Sequence, residues 1–302
     1  MTTVDWPALS RIPEKIEYYR HDIYLREALA ELTERFGADL PDVLWRSTLL
    51  LVRPEGLRSG RLPAVLEFLD HHGFAVVAAR TVAFDRLQAR EMWRYQHTLA
   101  SIDRLAVTDQ ILVGNPSLVL LLRARTSGAL PASVELCTLK GPADPARRRP
   151  DTLRSLLDQP NLMFSLIHCA DEPADLAREL GIMFDSAARR ELIAALDRQG
   201  LDPAGQAALD AAAAAPPVAY TLDDTLNRVR SALSGTADLS LLDALVSGGH
   251  DSWRPLMREV DRTGSRVDPI DLAYIGTCFI EYDEPGARKL LGGPDVAAWR
   301  RA

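Results

Sequence analysis

One histidine stands where it could do chemistry. His168 closes a short apolar run in the stretch from Asn161 to Asp171, NLMFSLIHCAD, with Leu166 and Ile167 before it and Cys169, Ala170 and Asp171 after it. Gln159 and Pro160 precede the run, and an Ala-rich stretch follows from Pro173. This pattern reads as a buried strand passing into a helix. A histidine held at such a junction can face a cleft. Its imidazole, with a reference pKa of about 6.5, is largely neutral near pH 7 and so available as a nucleophile. A lone histidine beside apolar residues is most often a hydrogen-bonded structural residue, so the rest of the chain decides between the two roles. The other histidines carry less. His71 and His72 end a helical segment, where the helix dipole favours cations, and read as surface residues. His97 and His250 have no partner pattern. The run Arg147, Arg148, Arg149 reads as a solvated face, with charge for an anionic ligand as the alternative.

The composition is that of an ordinary globular chain. Of its 302 residues, 47% are hydrophobic and 25% charged, enough for a sizeable core and for two domains, or one with large additions. A net charge of -7 implies no general attraction to nucleic acid, and the basic and aromatic residues form no stripe that would bind it. No run has the length of a signal-peptide core or a membrane span. Three widely spaced cysteines, Cys137, Cys169 and Cys278, argue for a reducing cytoplasm and against a disulfide framework or a zinc site. Cys169 reads as a small buried filler rather than as a reactive thiol.

The elements that would position His168 follow from periodicity. Residues 12–36 read as one amphipathic helix, with Leu25, Ala28, Leu29 and Leu32 on one face and Gly37 as its stop. Thr48 to Val52 is a buried strand broken by Pro54 and Gly56. Leu62, Val65, Leu66 and Leu69 mark a helix ended by Gly73. Phe74 to Phe84 is a second strand, Leu87 to Tyr95 a helix and Ser117 to Leu122 a third strand. A helix is expected within Thr126 to Leu139, a loop over 141–150, the fourth strand over Leu162 to His168, and a helix over Ala174 to Phe184. Two βαβ-like halves match the split βαβ, or ferredoxin-like, pattern, an α+β fold with a four-stranded antiparallel sheet. From Ala187 the pattern turns helical, with segments marked by Leu222 to Leu233, Trp253 to Val260 and Ile270 to Tyr282. The expected division is an N-terminal helical extension over 1–46, a central domain over 47–185 and a C-terminal helical packing domain over 186–302.

Thr48 to Gly60, TLLLVRPEGLRSG, taken with the His168 stretch, resembles the nucleoside diphosphate kinase family. Arg53-Pro54-Glu55-Gly56 is similar to the family's Lys-Pro-Asp-Gly turn. Pro150-Asp151-Thr152-Leu153-Arg154 resembles its Pro-Gly-Thr-x-Arg segment. His168 stands where the family has its phosphoacceptor histidine, and Glu179 and Phe184 follow without a gap. The resemblance implies that His168 takes the terminal phosphate of ATP and passes it on, a covalent route that splits one transfer into two. It implies that Glu179 fixes the ring tautomer and that Arg53, Arg104 and Arg154 meet phosphates. Ser165 takes the place of a ribose-contacting asparagine, and Trp93 that of a tyrosine on the covering helix. Mg²⁺ is implied as a bridge between phosphates, with no dedicated protein ligands. A homo-oligomer, at least a dimer, is implied as well.

The departures are specific. Arg53 replaces a lysine with a planar fork. Ala143 and Cys137 replace a phosphate-binding threonine and arginine, and Cys169 and Ala170 replace the glycine and serine after the histidine. Two functions follow as expectations. One is a phosphotransferase acting on a nucleoside diphosphate or a specialised small-molecule acceptor. The other is a catalytically degenerate protein that binds a nucleotide or a partner on the same fold.

Overall fold

The computed structural model describes residues 4–198 and 200–300. Its centre is a four-stranded antiparallel sheet made of β1 (Ser47–Val52), β2 (Phe74–Ala83), β3 (Pro116–Ala124) and β4 (Ile167–Cys169), in the spatial order β2-β3-β1-β4. That is the split βαβ order expected from the pattern. Every residue of β1 is buried, because the strand lies between β3 and β4 and is covered by helices. An all-apolar run is what such a position requires.

Eight helices matter for the argument: α1 (Pro13–Tyr19), α2 (Ile23–Phe36), α3 (Leu62–His71), α4 (Arg86–Met92), α5 (Ile102–Leu112), α6 (Ala132–Lys140), α7 (Pro173–Met183) and α8 (Pro269–Phe279). The single helix expected over 12–36 is two. The first ends at Tyr19, and Asp22 caps the second, its side chain accepting the Leu25 N–H. It also holds the buried Arg178 guanidinium at 2.6 Å. The helix expected within 126–139 starts only at Ala132, behind Pro131. The one expected over 87–95 ends at Met92 and opens on a capping box from Asp85 and Gln88.

The N-terminal helices dock on the sheet domain. α2 lies along α7, and Gly181 makes this approach possible: a Cβ there would stand 2.4 Å from the Tyr24 carbonyl oxygen. Beneath them is a fully buried polar nest. Lys15 Nζ bonds Asp175 at 2.6 Å and Glu172 at 3.0 Å, and Tyr19 donates to Asp175 at 2.6 Å. Burial works against the Lys15 ammonium, but the two carboxylates outweigh it and hold its pKa above the ordinary lysine range.

Past Ala187 the chain is helical, with helices at Leu222–Leu233, Trp253–Thr263 and α8, as the periodicity indicates. α8 packs on α5. Among the described residues no helix is long and apolar enough to cross a membrane.

Candidate functional site

His168 sits in β4, paired with Leu51 of β1. The strand is much shorter than the apolar run suggests. Asn161 turns the chain instead, its side-chain oxygen accepting the Met163 and Phe164 N–H groups at 2.9 and 2.8 Å. Phe164 is spent on packing against Tyr220 and Tyr274.

The ring of His168 is half-buried. Its Nε2 lies 2.9 Å from Glu179 Oε1, across the turn between β4 and α7. Nδ1 makes no hydrogen bond among the described residues and is the ring nitrogen left for chemistry. Burial opposes protonation of His168, but Glu179 outweighs it and raises the pKa above 6.5. Burial likewise pushes the Glu179 carboxyl up, against the pull of His168. The two therefore share one proton tightly, and the carboxylate fixes which ring nitrogen carries it.

The ring lines a cavity of about 840 Å³. One wall comes from the end of β1 and from the segment joining α4 to α5. Arg53 is brought there by a turn pressed onto the loop before β4. Its N–H bonds the Leu166 carbonyl at 3.0 Å, and Gly56 has no room for a side chain, since a Cβ would meet that same oxygen at 2.3 Å. The Arg53 guanidinium lies over Trp93, and Trp93 meets His168 edge-on at a centroid distance of 5.4 Å. Arg53 lies 3.0 Å from Glu55, a carboxyl that burial pushes up to about 7 despite the arginine. Arg104 is ion-paired with Asp283.

The opposite wall comes from α6 and the loop after it. Arg154 Nη1 donates to the Gly141 carbonyl at 2.7 Å and Nη2 to Ser165 Oγ at 3.3 Å, both neutral acceptors, and its Nε has no partner among the described residues. Among the described residues no carboxylate pairs with it. Burial lowers its pKa from the ordinary value, yet a guanidinium stays charged. Ser165 is itself buried, engaged with Gln159 and the Ile167 carbonyl as well as Arg154. The arginine run divides three ways. Arg147 reaches the cavity rim, Arg148 donates to the carbonyls of Pro142, Ala143, Gln159 and Asn161, and Arg149 pairs with Asp151 on the surface.

Several residues at the site were not singled out in the sequence. His97 lines the cavity beside Trp93, with a buried Nδ1 that has no hydrogen-bond partner among the described residues. Burial, helped by Arg104, Arg90 and Arg53, pushes its pKa down to about 3, so it is neutral at ordinary pH. Lys140, at the end of α6, is buried and reaches Asp171 at 3.3 Å. Its one legible signal is its spacing: it lies one helical turn beyond Cys137. The cysteines are not as separate as their spacing suggests, because α6 and β4 bring Cys137 and Cys169 together.

The C-terminal segment also contributes, which a purely packing role for residues 186–302 did not anticipate. The Ser101 N–H donates to Tyr282 and the Glu284 N–H to Leu99, at 2.9 and 2.7 Å, and the Leu290 N–H donates to Tyr95 at 3.2 Å. These bonds lay Asp283 and Lys289 on the cavity wall. Trp299 anchors the far end, donating to the buried Glu172 at 2.8 Å.

The family described as Nucleoside diphosphate kinase matches residues 46–188. A nucleoside diphosphate kinase of Natronomonas pharaonis is 25% identical over 139 residues, covering 46% of this chain and 85% of that protein. A thioredoxin domain-containing protein 3 homolog of Heliocidaris crassispina is 26% identical over 139 residues, 45% of this chain but only 16% of that much longer protein. The nucleoside diphosphate kinase structure from Aquifex aeolicus aligns at 19% identity with a TM-score of 0.40, covering 47% of this chain and 96% of that one.

Proposed function

We propose that this chain, whose residues 46–188 match the nucleoside diphosphate kinase family, is a phosphotransferase that works through a phosphohistidine at His168. One observation carries this reading. His168 is held through Nε2 by the buried Glu179, and its ring opens on the same cavity as Arg154, a guanidinium whose hydrogen-bond acceptors among the described residues are neutral. A guanidinium without an ion-pair partner among the described residues, in the same cavity as a nitrogen nucleophile, suits a phosphoryl group, whose transfer is stabilised by position and charge.

In the proposed reaction Nδ1 attacks the terminal phosphorus of ATP, a P–N bond forms and ADP leaves. The ring becomes positive as this happens, and Glu179 stabilises that charge through Nε2. An oxygen of the acceptor then attacks the same phosphorus, and the P–N bond breaks. Among the described residues the cavity carboxylates are engaged: Asp171 by Lys140 and Cys137, Glu179 by His168, Asp283 by Arg104. This fits a magnesium ion held by phosphate oxygens and water, which would neutralise phosphate charge there.

The acceptor is a nucleoside diphosphate or a specialised small molecule. The C-terminal segment supports the second choice, since Asp283 and Lys289 add charged groups to the wall. We further propose a homo-oligomer, at least a dimer, which light scattering would contradict by returning a monomer mass at micromolar concentration.

A second reading has one observation in its favour. Arg53 and Arg104 each face a carboxyl group, Glu55 and Asp283, which leaves less free charge to stabilise a transferring phosphoryl group. Steady-state transfer from ATP to GDP separates the two. The phosphotransferase gives parallel double-reciprocal lines, the mark of a covalent intermediate. Nucleotide binding with no product from GDP or from any of a panel of small phosphorylated acceptors would favour the binding protein.

A further inference from the structure

Beside His168 lies a second reactive group that phosphoryl transfer does not use. Cys137 Sγ, Cys169 Sγ and a carboxylate oxygen of Asp171 all lie within 4.8 Å of one another. Cys137 is half-buried on α6 and lines the cavity, whereas Cys169 is fully buried on β4. Their surroundings differ in a useful way. Cys137 donates to Asp171 Oδ1 at 3.1 Å, so its sulfur keeps a proton. Cys169 has the Lys140 ammonium nearby. Burial alone would push its thiol up, but the neighbouring Cys137 side chain and the Lys140 charge bring it down to about 7.

We propose that Cys137 and Cys169 are a modification site for hydroperoxides, joined on oxidation into a disulfide that ties α6 to β4 beside His168. The cavity-facing Cys137 meets the peroxide. As the thiol passes its proton to the Asp171 carboxylate it already meets, the sulfur bonds one peroxide oxygen, the O–O bond breaks, and the other oxygen takes up that proton and leaves as water or alcohol, giving a sulfenic acid. The Cys169 thiolate attacks that sulfur, and the hydroxyl departs as water on taking a proton. The dithiol loses two electrons and the hydroperoxide gains them. The same three atoms could be read as ligands for a soft divalent cation. Lys140 argues against this, because its ammonium already rests on the Asp171 oxygen that would bind the metal.

The test needs only the full-length protein. Reduced protein is treated with hydrogen peroxide, blocked with an alkylating agent and weighed intact. Alkylation is expected to fall from three cysteines to one. A single peptide pair should link Cys137 to Cys169, and dithiothreitol should restore all three thiols. The exposed Cys278 serves as the internal control, and Cys278→Ser is expected to form the same cross-link. The proposal is overturned if Cys137 and Cys169 both remain alkylatable, or if they oxidise separately to sulfinic acids. It is equally overturned if the purified protein holds one equivalent of zinc that must be chelated before the thiols react. Thiol count and mass read this site without any phosphotransfer, so its failure and that of the kinase proposal are separate results.

Discussion

Replacing Glu179 with glutamine removes a charge from the site while keeping its size and one hydrogen bond. In the native protein the carboxylate lies 2.9 Å from His168 Nε2 and raises the ring pKa against the effect of burial. Only the neutral ring can attack phosphorus, so phosphoenzyme formation should rise with pH and level off above the His168 pKa, which lies higher than 6.5. In Glu179→Gln burial acts unopposed, and the inflection should move to the acid side. A hydrogen bond to a charged group contributes about 1.5–3 kcal/mol, which corresponds to roughly one to two pKa units. The same interaction stabilises the positive ring of the intermediate, so the plateau rate should also fall by roughly ten- to a hundredfold. Quenched-flow labelling from γ-labelled ATP between pH 5 and 9 measures both quantities. An inflection at the same pH in both proteins would refute the claim that Glu179 governs the protonation of His168.

Three further outcomes follow from the packing and the charge arrangement. Arg154→Lys should raise the KM for ATP by about tenfold or more, because a point charge cannot reproduce a guanidinium braced on Gly141 and Ser165; an unchanged KM would remove Arg154 from the phosphate site. Lys15→Met should cost about 3–5 kcal/mol in urea unfolding, since it strands the buried Glu172 and Asp175 carboxylates. Gly181→Ala should cost about 1–3 kcal/mol by forcing α2 off α7, and a stability equal to wild type would show that the N-terminal helices are not docked as described.

The parts of this structure legible in the sequence are those with a strong local pattern. β1, β2 and β3 are continuous or alternating apolar runs, and α7 carries its apolar face at helical spacing. The eleven-residue interval from His168 to Glu179 spans a strand end, a tight turn and part of a helix, and it brings the two side chains together. Where a polar side chain redirects the backbone, periodicity misleads. Asn161 folds the apolar residues after it into a loop, so β4 shrinks to three residues. Asp22 splits the N-terminal helix by capping its second half. The partners of Arg53 and Arg104 illustrate a second limit. Glu55 was visible two residues away, but Asp283 reaches Arg104 from the far end of the chain through a segment with neither periodicity nor motif. The meeting of Cys137 with Cys169 was hidden for the same reason, because only the packing of α6 against β4 creates it.

The central claim is that the His168 ring carries a phosphoryl group. Wild-type protein incubated with γ-labelled ATP and Mg²⁺ should acquire label that is lost in acid and kept in base, and peptide mapping should place it on His168. His168→Asn should take up none while still binding nucleotide. Wild-type protein that binds ATP yet stays unlabelled, or label that persists in His168→Asn, would contradict the account.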